Sequence, residues 1–300
     1  MKTNPHDLFS KAIPTNKLGK FIQHPLIRIL VAFVFMIPVF LLSKGIKTAL
    51  YPRLAQNALV IARYLEAVLC FVLFLWLYKI YARAVEKRQP LETAFRKRLP
   101  DLGTGFVLSF LIVGLVVLVF SLTGDFAVTG VMENKRFVFD LLAKFFMGAL
   151  IEELIFRLIL FKLTEELLGT WMALLIQALL FGFAHALNKN ATIFASIAVT
   201  IVGGLVYIAA YVFSRSLWLP LGLHWGWNFA QSGIFSMPNS GTPYDGLLAT
   251  KVAGPQWLTG GAFGIEASCL TILLWLIVGA GLMILAKRRS QIVLPAWKRN

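Results

Sequence analysis

The chain has 300 residues, of which 58% are hydrophobic and only 14% charged, and its mean hydropathy is +0.76. Soluble domains carry roughly 25% charged residues, so the composition excludes a secreted domain, a cytosolic enzyme and a disordered protein together. The formal net charge of +15 leaves nucleic-acid binding to be decided by where that charge lies. A spanning helix needs about 20 mainly apolar residues. In chain order such runs lie near 26–42, 58–78, 102–122 and 137–160, then near 171–187, 192–213, 217–235 and 267–286. The expected fold class is all-α, a multi-pass transmembrane helical bundle of about eight spans. The first run follows about 25 residues and precedes no small-residue cleavage site, unlike a signal peptide.

The charge distribution sets an orientation. With the N-terminus inside and the spans alternating, inside segments hold eighteen Lys and Arg residues and outside segments eight. Cytoplasmic loops carry the excess of Lys and Arg, so both termini are expected in the cytoplasm. The basic excess is then spent on orientation in a cell membrane, and no nucleic-acid partner is expected. Residues 1–136 form a basic N-terminal segment with three spans, and residues 137–300 form the part that carries the unusual polar groups. Between 236 and 266 lie three prolines and six glycines, which forbids a regular helix there. Cys70 and Cys269 sit in apolar runs without metal-type spacing and read as buried small hydrophobes.

Charge inside a membrane costs about 2.5–3.5 kcal/mol per residue on insertion scales, so the survivors point to function. They concentrate in three places: Glu152-Glu153-x-x-x-Arg157, Phe181-x-x-x-His185 and His224-x-x-x-Asn228. Glu153 and Arg157 are four apart and share a helix face, where an ion pair relieves both. Glu152 lies about 100° away with no basic residue one turn on, and is left for chemistry as a general base. Phe181 can pack beneath the His185 imidazole, and Gly182 permits close helix approach. Taken singly, each motif has a structural reading as an ion pair or an interhelical hydrogen bond. The Glu165-Glu166 pair lacks a following arginine and reads as solvated loop.

Together and in this order, the three motifs resemble those of the CPBP family, the CAAX-protease and bacteriocin-processing intramembrane proteases also called the Abi family. The resemblance covers roughly 137–235 and extends more weakly to 257–268. Family members commonly have Gly after the arginine, where this chain has Leu158. The resemblance implies an intramembrane endopeptidase acting on a peptide or membrane-protein substrate. By that resemblance, Glu152 and His185 activate a water, His224 and Asn228 bind the oxyanion, and Glu153, Arg157 and Phe181 support them. No cofactor is favoured. A zinc alternative would use Glu152, His185 and His224, although HExxH is absent. Rival readings are an ion-coupled transporter, which would call for related halves, and a catalytically silent bacteriocin-immunity or scaffold protein. One depth mismatch stands: at 1.5 Å per residue, Glu152 and His224 lie roughly 10–14 Å from the inner face and His185 near 21 Å. The three meet only if the fifth span tilts or begins later.

Overall fold

The computed structural model describes residues 4–94, 99–132 and 136–299. Lys2, Arg96, Lys97, Arg98 and Lys135, counted in the charge asymmetry, lie outside the described residues. The chain is an all-α multi-pass bundle. Among the described residues six helices are long and apolar enough to cross a membrane: Pro25–Arg53, Ala58–Ala84, Leu99–Thr123, Asp140–His185, Ile193–Ser214 and Cys269–Arg288.

In chain order the helices are α1 (Lys17–Gln23), α2 (Pro25–Gly45), α3 (Gln56–Ala84), α4 (Leu99–Thr123), α5 (Arg136–Glu153) and α6 (Lys162–His185). They continue with α7 (Ile193–Val199), α8 (Val206–Ser214), α9 (Trp218–Asn228), α10 (Gln256–Thr259) and α11 (Cys269–Arg288). Wider π-helical turns join α5 to α6 (Leu154–Phe161) and α7 to α8 (Thr200–Leu205), and extend α9 (Phe229–Ile234). Such turns are rare in general and frequent at functional sites. The first contains Arg157 and the third follows Asn228, while a fourth such turn, Ile46–Leu50, ends α2.

The 46-residue segment Asp140–His185 is two helices, because Gly169 breaks it with φ +76° and ψ 170°. A side chain there would also stand 2.7 Å from the Pro295 nitrogen. The fourth and fifth expected runs are these two pieces. The seventh, 217–235, is α9 with its π extension, and Leu221, Leu223 and Trp227 on it are buried. Helices α4 and α9 touch backbone to backbone. A Cβ on Gly222 would come within 2.1 Å of the Leu102 carbonyl oxygen, and one on Gly226 within 2.6 Å of that of Phe106. Small residues at a membrane helix crossing allow this approach. The buried Ser109 hydroxyl locks it by donating to the Leu223 carbonyl at 2.6 Å, one residue before His224.

Three expectations are corrected. Glu165 and Glu166 are helical and paired, not solvated: Glu165 is fully buried, with Oε2 2.5 Å from Arg215 Nη1, and Glu166 Oε1 lies 2.5 Å from Arg28 Nη2. Their cations come from distant segments, which a search for a following arginine misses. Cys269 is exposed at the start of α11, although Cys70 is buried. The 236–266 segment, expected to hold no regular helix, contains the one-turn α10 and also β2 (Leu248–Val252), which pairs antiparallel with β1 (Phe126–Val131) in a two-stranded sheet.

Candidate active site

Glu152 and Glu153 end α5, and the helix turns them in different directions. Glu153 is fully buried and bridges two partners. Its Oε2 lies 3.0 Å from Arg157 Nε, the expected i to i+4 pair, and its Oε1 lies 2.8 Å from His224 Nδ1 on α9. Arg157 donates on to the Gly203 carbonyl and lies over the rings of Phe181 and Tyr207, 4.8 and 5.4 Å from their centroids. A carboxylate and two ring faces offset part of the buried guanidinium's charge, while its Nη1 finds no hydrogen-bond partner among the described residues.

Glu152 keeps 34% of its side-chain exposure, and its Oε2 is 3.9 Å from both His185 Nε2 and His224 Nε2. The two imidazoles thus converge on one carboxylate oxygen from α6 and α9, and the depth mismatch is resolved. At 3.9 Å the contacts are too long for direct hydrogen bonds, a span that a water bridges.

The second nitrogen of each ring settles its aim. His185 Nδ1 lies 2.9 Å from the Phe181 carbonyl oxygen, which only accepts, so Nδ1 carries the proton and a neutral His185 presents a lone pair at Nε2. The Phe181 ring lies 4.6 Å from the His185 ring, the packing expected from their spacing. The tight crossing of α6 on α7 fixes both, since a Cβ on Gly182 would fall 1.8 Å from Thr200 Oγ1. His224 is held by Glu153 at Nδ1 and by Tyr207, whose ring stacks on it at 5.0 Å.

A small cavity of about 30 Å³, room for a water molecule or two, is lined by His185, Tyr207, His224, Asn228, Ser240 and Glu266 among others. Asn239 Nδ2 donates to Asn228 Oδ1 at 2.9 Å, which leaves the Asn228 amino group as its remaining polar end. Sequence reasoning missed Tyr207, Asn239, Ser240 and Glu266. Tyr207 resembles any apolar-run aromatic, and the other three lie in the irregular segment, where no periodicity marks a face. Burial pushes the Glu266 carboxyl above its ordinary range, against hydrogen bonds from Gln231 and Ser240 that pull it back.

Among the described residues no group of three His, Cys, Asp or Glu side chains is placed to hold a metal ion. No curated protein and no solved structure matches the chain. Residues 134–230, which run from the start of α5 past Asn228, match a family model described as type II CAAX prenyl endopeptidase Rce1-like. That segment is therefore similar to the Rce1-like type II CAAX prenyl endopeptidases, in keeping with the CPBP resemblance of the three motifs.

Proposed function

We propose that the chain hydrolyses a peptide bond within the membrane with a water activated by Glu152 and His185. An Rce1-like CAAX protease domain supports an endopeptidase, a hydrolase with a peptide substrate in a membrane. The observation that carries the finer reading is the convergence of both Nε2 atoms on Glu152 Oε2, each at 3.9 Å. A water there donates one hydrogen to the Glu152 carboxylate and one to the His185 lone pair. As its oxygen attacks the scissile carbonyl, Glu152 takes the proton and later passes it to the leaving amine.

The oxyanion forms on the other side. His224, whose Nδ1 lies 2.8 Å from the Glu153 carboxylate, is the first donor, through Nε2. The Asn228 amino group supplies the second donor. Donors fixed before reaction at a developing oxyanion account for much of catalysis, and losing one typically costs about 10²–10³ in turnover. No Ser or Cys nucleophile and no metal enters this scheme.

The test compares protein N-termini in membranes expressing the intact chain and its Glu152→Gln form, each shown to be folded by its melting temperature. New termini that require Glu152 are expected; identical profiles would remove the peptidase reading. The same cleavage, measured on purified protein, is expected to survive dialysis against a strong chelator. Stoichiometric zinc that is lost in both His185→Ala and His224→Ala would replace the metal-free scheme.

A further inference from the structure

Glu266 stands just before α11, in the turn Ile265–Ala267, and is buried. Among the described residues it forms no ion pair. Its neighbours are donors: Gln231 Nε2 donates to Oε2, while Ser240 donates to Oε1 through both its backbone N–H at 2.5 Å and its hydroxyl at 2.9 Å. A buried carboxylate without a cation is expensive, so three donors aimed at it indicate a device rather than filler.

The device is a turn. Asn239 and Thr242 exchange backbone hydrogen bonds at 2.8 and 2.9 Å, and the two residues between them, Ser240 and Gly241, have φ of +46° and +82°. Glycine adopts such angles freely, but Ser240 is strained there. The turn is clamped from both sides. Gly241 N–H donates to the Phe263 carbonyl at 2.8 Å, and Asn190 Nδ2 donates to the Gly241 carbonyl at 3.1 Å. The residue next to the strained serine is Asn239, whose amide holds Asn228 Oδ1.

We infer that Glu266 is a positioning residue for the hydrolysis: through Ser240 it holds this turn at the cavity, so that Asn239 keeps the amino end of Asn228 turned toward the reacting carbonyl. The inference rests on the peptidase reading. It assigns a role to the segment before the last helix, and it explains why a strained serine is kept where glycine would be free of strain.

The test uses full-length protein in nanodiscs, with Cys70 and Cys269 replaced and a spin label on Thr242→Cys, an exposed position beside the strained pair. Turnover is read with a quenched farnesylated peptide ending in a CAAX sequence. Glu266→Gln sets an amide against one of its three donors. It is expected to mobilise the label and lower kcat about 10²-fold, the order expected of a small misplacement, with KM within about twofold. Asn239→Ala should lower kcat similarly while the label stays immobile, and the double variant should lose no more than either single one. Adding Ser240→Gly to Glu266→Gln should restore the immobile label and part of kcat, because glycine holds the turn unaided. An immobile label in Glu266→Gln, an unchanged kcat, or losses that multiply in the double variant would overturn the inference. Wild-type cleavage that Glu152→Gln abolishes keeps those outcomes separate from a failure of the peptidase reading; no Glu152-dependent cleavage at all would overturn both.

Discussion

Removing the guanidinium of Arg157 would leave Glu153 fully buried with only His224 Nδ1 beside it. Breaking a buried pair from one side typically costs about 3–5 kcal/mol, so Arg157→Ala is expected to lower stability by that amount in a detergent unfolding titration. Glu152, one-third exposed and in no close ion pair, should tolerate Gln with little change in stability while turnover is lost. If instead Glu152→Gln unfolds the protein and Glu153→Gln is folded but inactive, the two glutamates have been given each other's roles. The Glu153–Arg157 pair was legible because both residues lie on one helix face, at a spacing fixed by helix geometry. The Glu153–His224 bond joins residues 71 apart in sequence, and no local pattern contains it. Hence the sequence made Glu153 a brace for Arg157, whereas in the fold it also fixes the imidazole that faces Glu152. Asn239 and Glu266 were invisible for the same reason, with irregular backbone carrying them.

At the scale of elements, the site depends on how close α6 and the turns between α7 and α8 can come. A Cβ on Gly182 would meet Thr200 Oγ1 at 1.8 Å and the Ser196 carbonyl oxygen at 2.8 Å, and the second contact is backbone that cannot rotate away. Gly182→Ala is therefore expected to push the helices apart and carry His185, three residues on, away from Glu152. A loss of about 10²-fold in turnover is expected from a displacement near 1 Å. Adding Thr200→Ala should recover only part of it, since the Ser196 contact remains. Turnover unchanged in Gly182→Ala would show that the crossing does not set the His185 position. Hydropathy made the helices legible, since each expected run has its helix. It could not show the break at Gly169, because a glycine inside an apolar run signals packing as readily as a turn. Nor could it show β1 pairing with β2, whose partners lie about 120 residues apart in the sequence, as Thr129 and Ala249 do.

At the scale of the whole molecule, the connections sort to two ends. At one end a buried network joins Arg28 before the apolar stretch of α2, Glu86, Arg88 and Glu92 after α3, and Lys162 at the start of α6. Arg28 and Lys162 reach Glu86 at 3.0 and 2.6 Å, and Arg88 reaches Glu86 and Glu92 at 2.7 Å each. Arg215, between α8 and α9, reaches Glu165 and the Gln291 side chain at the same end. Both tails reach it too: Lys11 N–H donates to the Glu86 carbonyl at 2.8 Å, and Arg299 donates to that of Glu166. At the other end, β1 after α4 pairs with β2 before α11, and Asn190 after α6 reaches Gly241. Connections at opposite ends are what the expected eight crossings would require, and six helices among the described residues are long and apolar enough to cross. From the charge count we expect the network end in the cytoplasm, since seven of the Lys and Arg residues lie between 79 and 98 alone. In a variant without Cys70 and Cys269, a single cysteine at the exposed Gln89 should resist an impermeant thiol reagent in sealed cells, and one at the exposed Lys251 should react. Reaction at Gln89 with protection at Lys251 would invert the orientation, and equal reaction at both would show that the two connections share a side and break the alternation itself.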